Sequence, residues 1–249
     1  MSIKRHIMNV LPDSVLRGIK RRYYPRVVRN YSEADWAFSP IVKALIPEGG
    51  MVLDVGANIG YLSKLFSNWV GASGCVHSFE PIPETFALLQ NNLHRVGLRN
   101  VCPHNLALSN VSGSSTMLIP EYPDGRPNFY ESHITDDGAG VTIQTETLDH
   151  LEMGPVAFIK IDVEGHEWNV IQGGQALISR DLPPLLIEVA GNLAAVESPA
   201  GVLNAFLTNL GYRPFLLQEE RLVAWQEPFR AVDYLFLTEK QRVLLGVEA

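Results

Sequence analysis

The sequence has little that would tie it to an oxidising compartment, a membrane span or a nucleic acid. It carries two cysteines, Cys75 and Cys102, in 249 residues. They have no CxxC spacing and fit no zinc pattern, so they read as buried free thiols of a reducing compartment. No apolar run approaches the ~18 residues of a membrane span. Ile3 to Val15 is broken by Lys4, Arg5, His6, Asn9, Pro12 and Asp13, which makes no secretory core and points to the cytoplasm. Positive charge is also short: the net charge is −7, which argues against a nucleic-acid partner. Internal repeats, low-complexity tracts and Gly/Ser linkers are absent.

The charge that is present is uneven. Residues 1–30 hold Lys4, Arg5, Arg17, Lys20, Arg21, Arg22, Arg26 and Arg29 against Asp13 alone, a local +7 that leaves −14 on the rest. Leu11, Val15, Leu16 and Ile19 follow a helical stripe through this segment. Three readings stand: a lid or docking helix over a cleft, a solvated or oligomer-forming arm, and a segment resting on an anionic membrane or a lipid-linked substrate. The expected division is a basic helical extension and lid over 1–47, followed by one catalytic domain over 48–249. Hydrophobic content of 46% and charged content of 19% suit such a globular unit.

The domain is organised around MVLDVGANIG, residues 51–60. Met51, Val52, Leu53 and Val55 surround one acid, Asp54, as in a strand buried on both faces of a parallel sheet. Gly56, Ala57, Asn58, Ile59 and Gly60 then turn the chain into a helix near Tyr61. Free N–H groups of the helix start face that turn, and small residues there let a ligand approach the backbone. The dinucleotide fingerprint G-x-G-x-x-G is not met, because Asn58 stands where it has its second glycine. An acid just before the first glycine suits a cationic ligand better than a diphosphate. A second strand ends at Glu80-Pro81, where the carboxylate can accept both hydroxyls of a ribose. The two acids together fit S-adenosylmethionine; the plain alternative is a βα turn with two incidental acids.

The βα rhythm continues. Helices are expected over 31–45, 61–69, 83–96, 165–179 and 200–210. Strands are expected over 74–79, 101–108, 155–161 and 185–189, with 212–217 and 232–237 closing the sheet. Between strands at 114–119 and 141–147 lies a long loop over 120–140. It carries Tyr122, Phe129, Tyr130, Ser132 and His133, and its length suggests a substrate lid or an exposed hairpin. Parallel-strand ends converge on one crevice, so Asp54, Glu80, Asp162 and Glu188 share it. Asp162 can take a proton from a substrate hydroxyl. Asp162 and Glu188, with Asn192, could instead hold Mg²⁺, and Asp162 could also simply cap a helix with Glu164 in its first turn. Glu167 reads as a surface or capping acid. His133 and His166 are further acid–base candidates. The end of the fourth strand, Ile-Asp-Val-Glu, lacks the N/D-P-P-Y/F pattern usual in nucleic-acid methyltransferases.

VLDVGANIGYLSKLF, SFEPIPETFALLQNNL, NLALSN, ETLD and FIKIDVEGHEWNVIQGG, in this order, resemble the FkbM-type S-adenosylmethionine-dependent methyltransferases over about residues 50–190. The resemblance implies an α/β class I methyltransferase fold: a Rossmann-like, seven-stranded, mostly parallel sheet with helices on both faces and strand seven antiparallel. It implies O-methylation of a hydroxyl on a sugar, glycan or polyketide-type natural product; a cofactor-binding protein without catalysis is the alternative from another class. Carried over by position, Asp54, Gly56, Asn58 and Gly60 would cradle methionine, Glu80 the ribose, and Asn105 to Ala107 the adenine. The full cofactor set is then Asp54, Gly56, Ala57, Asn58, Gly60, Tyr61, Glu80, Pro81, Asn105, Leu106, Ala107 and Asp162.

Overall fold

The computed structural model describes residues 13–123, 125, 127–135, 140–227 and 232–247. Helix α1 (Asp13–Asn30) precedes a short α2 (Ser39–Leu45). The domain then alternates: β1 (Met51–Val55), α3 (Tyr61–Val70), β2 (Cys75–Phe79), α4 (Pro83–Val96) and β3 (Val101–His104). It resumes with β8 (Phe158–Ile161), α5 (Glu167–Gln172), α6 (Gln175–Asp181), β9 (Leu185–Glu188) and α7 (Pro199–Asn209). It closes with β10 (Arg213–Gln218), β11 (Arg221–Ala224), β12 (Asp233–Leu237) and α8 (Glu239–Leu245).

One sheet runs β11-β10-β12-β9-β8-β1-β2-β3. From β9 to β3 every pairing is parallel, and β12 is antiparallel to both of its neighbours. Side chains alternate between faces. Leu53 and Val55 therefore join one core with Val170, Ile178 and Leu203, whereas Val52 joins another with Phe66 and Trp69. The sheet has eight strands rather than the expected seven. The extra β11 returns from β10 through Glu219 and Glu220, both at positive φ. Such two-residue turns favour Asn and Gly, so an acidic pair gives no hairpin signal.

A second sheet sits between β3 and β8 in sequence: β4 (Ala107–Leu108), β5 (Gly113–Leu118), β6 (His133–Thr135) and β7 (Val141–Glu146), ordered β4-β7-β5-β6. The expected strand 101–108 is thus two strands in different sheets. Asn105 makes the crossing, its Nδ2 donating to the carbonyls of Glu80 and Pro81 at 2.9 Å each. The described part of 120–140 is not a bare loop, since it holds β6 and a single 3₁₀ turn at Phe129–Glu131.

Two expected helices are interrupted. Residues 31–45 split because Ser32 and Asp35 close a capping box around a 3₁₀ turn, and Pro40 then starts α2. Residues 165–179 split at Gly173-Gly174, where the small sheet comes close. A Cβ on Gly173 would lie 1.9 Å from the Ser109 carbonyl oxygen. Helix α1 packs on α4, with Val28 buried against Ile59 and Leu88. Val15 and Ile19 of the expected stripe face outward instead. The thiols are free, but Cys102 is exposed and Cys75 half-buried, not buried as expected. No described helix is long and apolar enough to cross a membrane.

Candidate active site

A cavity of about 400 Å³ opens at the carboxyl ends of β1, β2, β8 and β9. At one end the chain leaves β1 through Gly56, whose N–H and that of Ala57 donate to the Phe79 carbonyl at 3.0 and 2.9 Å. Gly56 has φ +78, and a Cβ there would stand 1.8 Å from the Asp162 carbonyl oxygen. Only glycine lets the β1 and β8 turns pass so closely. Asp54 is buried beneath this turn. Its Oδ2 accepts from Ser63 Oγ at 2.6 Å, whereas its Oδ1 is buried with no hydrogen-bond partner among the described residues. Burial pushes this carboxyl up against the opposing pull of Lys160. Glu80 accepts from the N–H of Asn58 and of Ile82, both at 3.0 Å. Its burial outweighs those bonds and pushes the carboxyl up to about 7.

Ala57, Asn58, Tyr61, Pro81, Leu106 and Ala107 line this end of the cavity as expected. Gly60 and Asn105 do not. Gly60 turns the chain at φ +93, and a Cβ on it would meet Leu89 at 2.8 Å. Asn105 is spent on holding the β2 exit.

At the other end lies Lys160, a buried lysine within β8. Its Nζ donates to Asp162 Oδ2 at 2.8 Å and to the Gly56 carbonyl at 3.3 Å. Burial opposes its charge, but Asp162 and Asp54 hold the ammonium above its ordinary range. Carboxylate oxygens of Asp162, Glu164 and Glu188 come within 4.8 Å of one another. Burial, then the neighbouring Asp162, Asp233 and Glu164, push Glu188 up to about 7. Burial and Asp162 also raise Glu164 and Asp233.

His166 lines the cavity, with Nε2 2.9 Å from Ser109 Oγ, and burial lowers its pKa. His133 does not line it. Ser132 and Ile134 do, and the strand alternation of β6 turns the residue between them to solvent, where its Nδ1 lies 3.1 Å from the Glu131 carbonyl. Glu167 is buried rather than a surface acid, and it accepts from the Gly165 N–H at 2.6 Å. Asn192 is occupied in its own loop by the Ala194 N–H.

The Asp162, Glu164 and Glu188 oxygens are hard donors of the kind Mg²⁺ takes. Yet the Lys160 ammonium already rests on Asp162, so a divalent ion there would face a positive charge at close range. The trio does not fit a Mg²⁺ centre.

Lys160, Ser63 and Met117 are among the site residues that sequence reasoning missed. Lys160 had a signal: it is the one charged residue in a strand buried throughout. Ser63 and Met117 had none, being ordinary residues of a helix and a strand.

The sheet order with β12 antiparallel between β9 and β10, helices on both faces and an acid at the ends of β1 and β2 is the class I methyltransferase architecture. Residues 54–214, more than half of the chain, match the Methyltransferase FkbM domain. The chain belongs to the FkbM methyltransferase family. The solved structure of methyltransferase FkbM from Methylobacillus flagellatus is similar at a TM-score of 0.51 and 17% identity, covering 76% of this chain and 44% of that one; this shows the fold. Among curated proteins, hexuronic acid methyltransferase AglP of Haloferax volcanii is 34% identical over 131 residues, 51% of this chain and 50% of that protein. A protein-L-isoaspartate O-methyltransferase of Methanococcoides burtonii is 39% identical over 136 residues, 47% of this chain and 66% of that protein. The match thus spans about half to two thirds of the length of these relatives.

Proposed function

We propose that this protein is an S-adenosylmethionine-dependent O-methyltransferase of the cytoplasm, acting on a hydroxyl of a sugar or glycan. The observation that carries the reading is the single cavity that joins Asp54 and Glu80 to Asp162 and Glu188. Among the described residues Asp54 Oδ1 is a buried acceptor lacking a donor, which an amine-bearing ligand would satisfy. Each Glu80 oxygen accepts one backbone N–H and keeps a lone pair for a ribose hydroxyl. S-adenosylmethionine, when bound, supplies a methyl already activated on sulfonium.

The chain's own residues then have three tasks. Asp54 and Glu80 hold the donor, and Leu106 and Ala107 wall its flat end. Met117 and Ile134 from the small sheet, with Phe129 and Ser132 from the segment leading into β6, close the cavity against water. Asp162, steadied by Lys160, takes the hydroxyl proton as the acceptor oxygen attacks, and Glu188 passes it toward solvent. His166 is a polar wall residue in this scheme, and His133 has no part.

AglP supports a saccharide acceptor by its name. The crowded carboxyls favour an acceptor without a negative charge of its own, so neutral sugars rank above uronic acids. A polyketide-like alcohol is the nearest rival. Transfer of labelled methyl to a panel of neutral sugars, uronic acids, lipid-linked glycans and macrolide-like alcohols tests the reading. Labelling of neutral saccharides is expected. Labelling of the alcohols alone moves the acceptor, and cofactor binding with no labelling leaves a non-catalytic binding protein.

A further inference from the structure

We propose that the outward face of α1 docks this protein on an anionic lipid bilayer, beside the mouth of the cavity. The helix is tied down along its inner side. Val28 is buried, Lys20 Nζ pairs with Glu84 at 3.3 Å, Asn91 Nδ2 donates to the Arg21 carbonyl at 2.9 Å, and Arg29 donates to the Arg95 carbonyl at 2.8 Å. Its other side is left to solvent with large apolar groups. Val15, Ile19 and Tyr23 are 44%, 44% and 59% exposed, and their spacing of four residues puts them on one face. Arg22 and Arg26 fall on that same face by helical spacing and are exposed too.

An apolar ridge flanked by arginines matches the boundary between headgroups and acyl chains, where the guanidinium groups reach phosphate and the apolar groups enter the boundary. Charge favours a lipid surface over a second copy, because two such faces would repel each other. Charge also sets the orientation. Residues outside 1–30 carry −14, so a negative bilayer attracts this end of the molecule and repels the rest on balance. Location gives the docking a purpose: Lys20 Nζ lies 5.5 Å from the centre of the Phe129 ring, and Phe129 lines the cavity. Lys20 is on the inner side of α1, so a bilayer on the outer face would lie about one helix diameter from that wall, which suits an acceptor carried on a lipid. The docking itself does not depend on the function proposed above.

Flotation of the full chain with vesicles tests it. Vesicles of phosphatidylcholine with one third phosphatidylglycerol are expected to carry the protein at low salt, pure phosphatidylcholine vesicles are not, and high salt is expected to release it. Arg22→Glu with Arg26→Glu should weaken the binding by about tenfold or more. Ile19→Ser with Tyr23→Ser should weaken it several-fold without changing its salt dependence. Arg22→Gln with Arg26→Gln serves if the charge reversal unfolds the chain, judged by thermal melting. Equal flotation on neutral vesicles, no flotation on either, or binding to duplex DNA in place of vesicles overturns the proposal. So does self-association by light scattering that the arginine variants abolish. Calorimetry with S-adenosylmethionine in parallel keeps a failure of docking distinct from a failure of the proposed activity.

Discussion

The two ends of the cavity hold their carboxyls differently: Asp54 and Glu80 are buried, whereas Asp162 and Glu188 are half-buried and Glu164 is exposed. At the Asp54–Glu80 end each acid is fixed by its own donors: Ser63 Oγ for one, the Asn58 and Ile82 N–H groups for the other. At the Asp162–Glu188 end the acids crowd one another around the Lys160 ammonium. Burial pushes carboxyls up at both ends, but here neighbouring carboxylates add to it as the next largest cause. A site held by backbone donors is rigid and suited to one unvarying ligand. A site of carboxyls that crowd one another can share and move protons and can meet varied acceptors. The difference matches the division of labour proposed for donor and acceptor.

Four substitutions test this contrast, taken from the largest expected effect to the smallest. Asp162→Asn should reduce turnover by roughly 10²- to 10⁴-fold and leave S-adenosylmethionine affinity unchanged by calorimetry. Retained turnover would remove Asp162 from the proton-accepting role. Lys160→Met should damage both ends, because Lys160 touches Asp162 and the Gly56 carbonyl. It leaves buried Asp54 without its cation, and urea unfolding at neutral pH should show a loss of roughly 3–5 kcal/mol. An unchanged midpoint would mean that the two ends do not share this lysine.

Glu80→Gln should act on the donor end alone and weaken cofactor binding by about 10- to 100-fold, with turnover at saturating cofactor nearly kept. It also has a pH signature. Glu80 moves from 4.5 to about 7 in the folded chain, so folding holds its proton more tightly than the unfolded state does. The carboxyl therefore favours folding below about pH 4.5 and loses that contribution as pH rises through about 7. Melting of the cofactor-free protein across that window should be flatter in Glu80→Gln. His133→Ala lies outside both ends and should change stability by no more than about 0.5 kcal/mol and turnover not at all. A large loss of turnover would bring His133 back into the mechanism.

The donor end was legible in the sequence because it is local. Asp54 to Tyr61 form one turn, and Glu80-Pro81 ends the next strand, so spacing alone placed them together. Asn105 and Gly60, from two different motifs, do not line the cavity but support it from behind, which spacing alone does not announce. The other end was less legible because it is assembled from afar. Asp162 and Glu188 were visible at strand ends, but Asp233 reaches them through the antiparallel β12. Met117 and Ile134 come from a sheet whose pairing no local pattern announces. The Gly173-Gly174 break and the outward turn of Val15 and Ile19 likewise follow from neighbours distant in sequence, whereas α4, expected over 83–96, has those bounds in the structure.

The four-stranded sheet enters the chain as one insertion between β3 and β8, and no backbone group of the Asp54 turn pairs with it. Evolution could therefore exchange β5 to β7 like the bit of a drill, reshaping what is gripped, provided that β4, which carries Ala107 into the donor end, stays with the chuck. A chimera bearing a relative's β5 to β7 on this chain's β1–β4 and β8–β12 frame would inherit the relative's taste in acceptors.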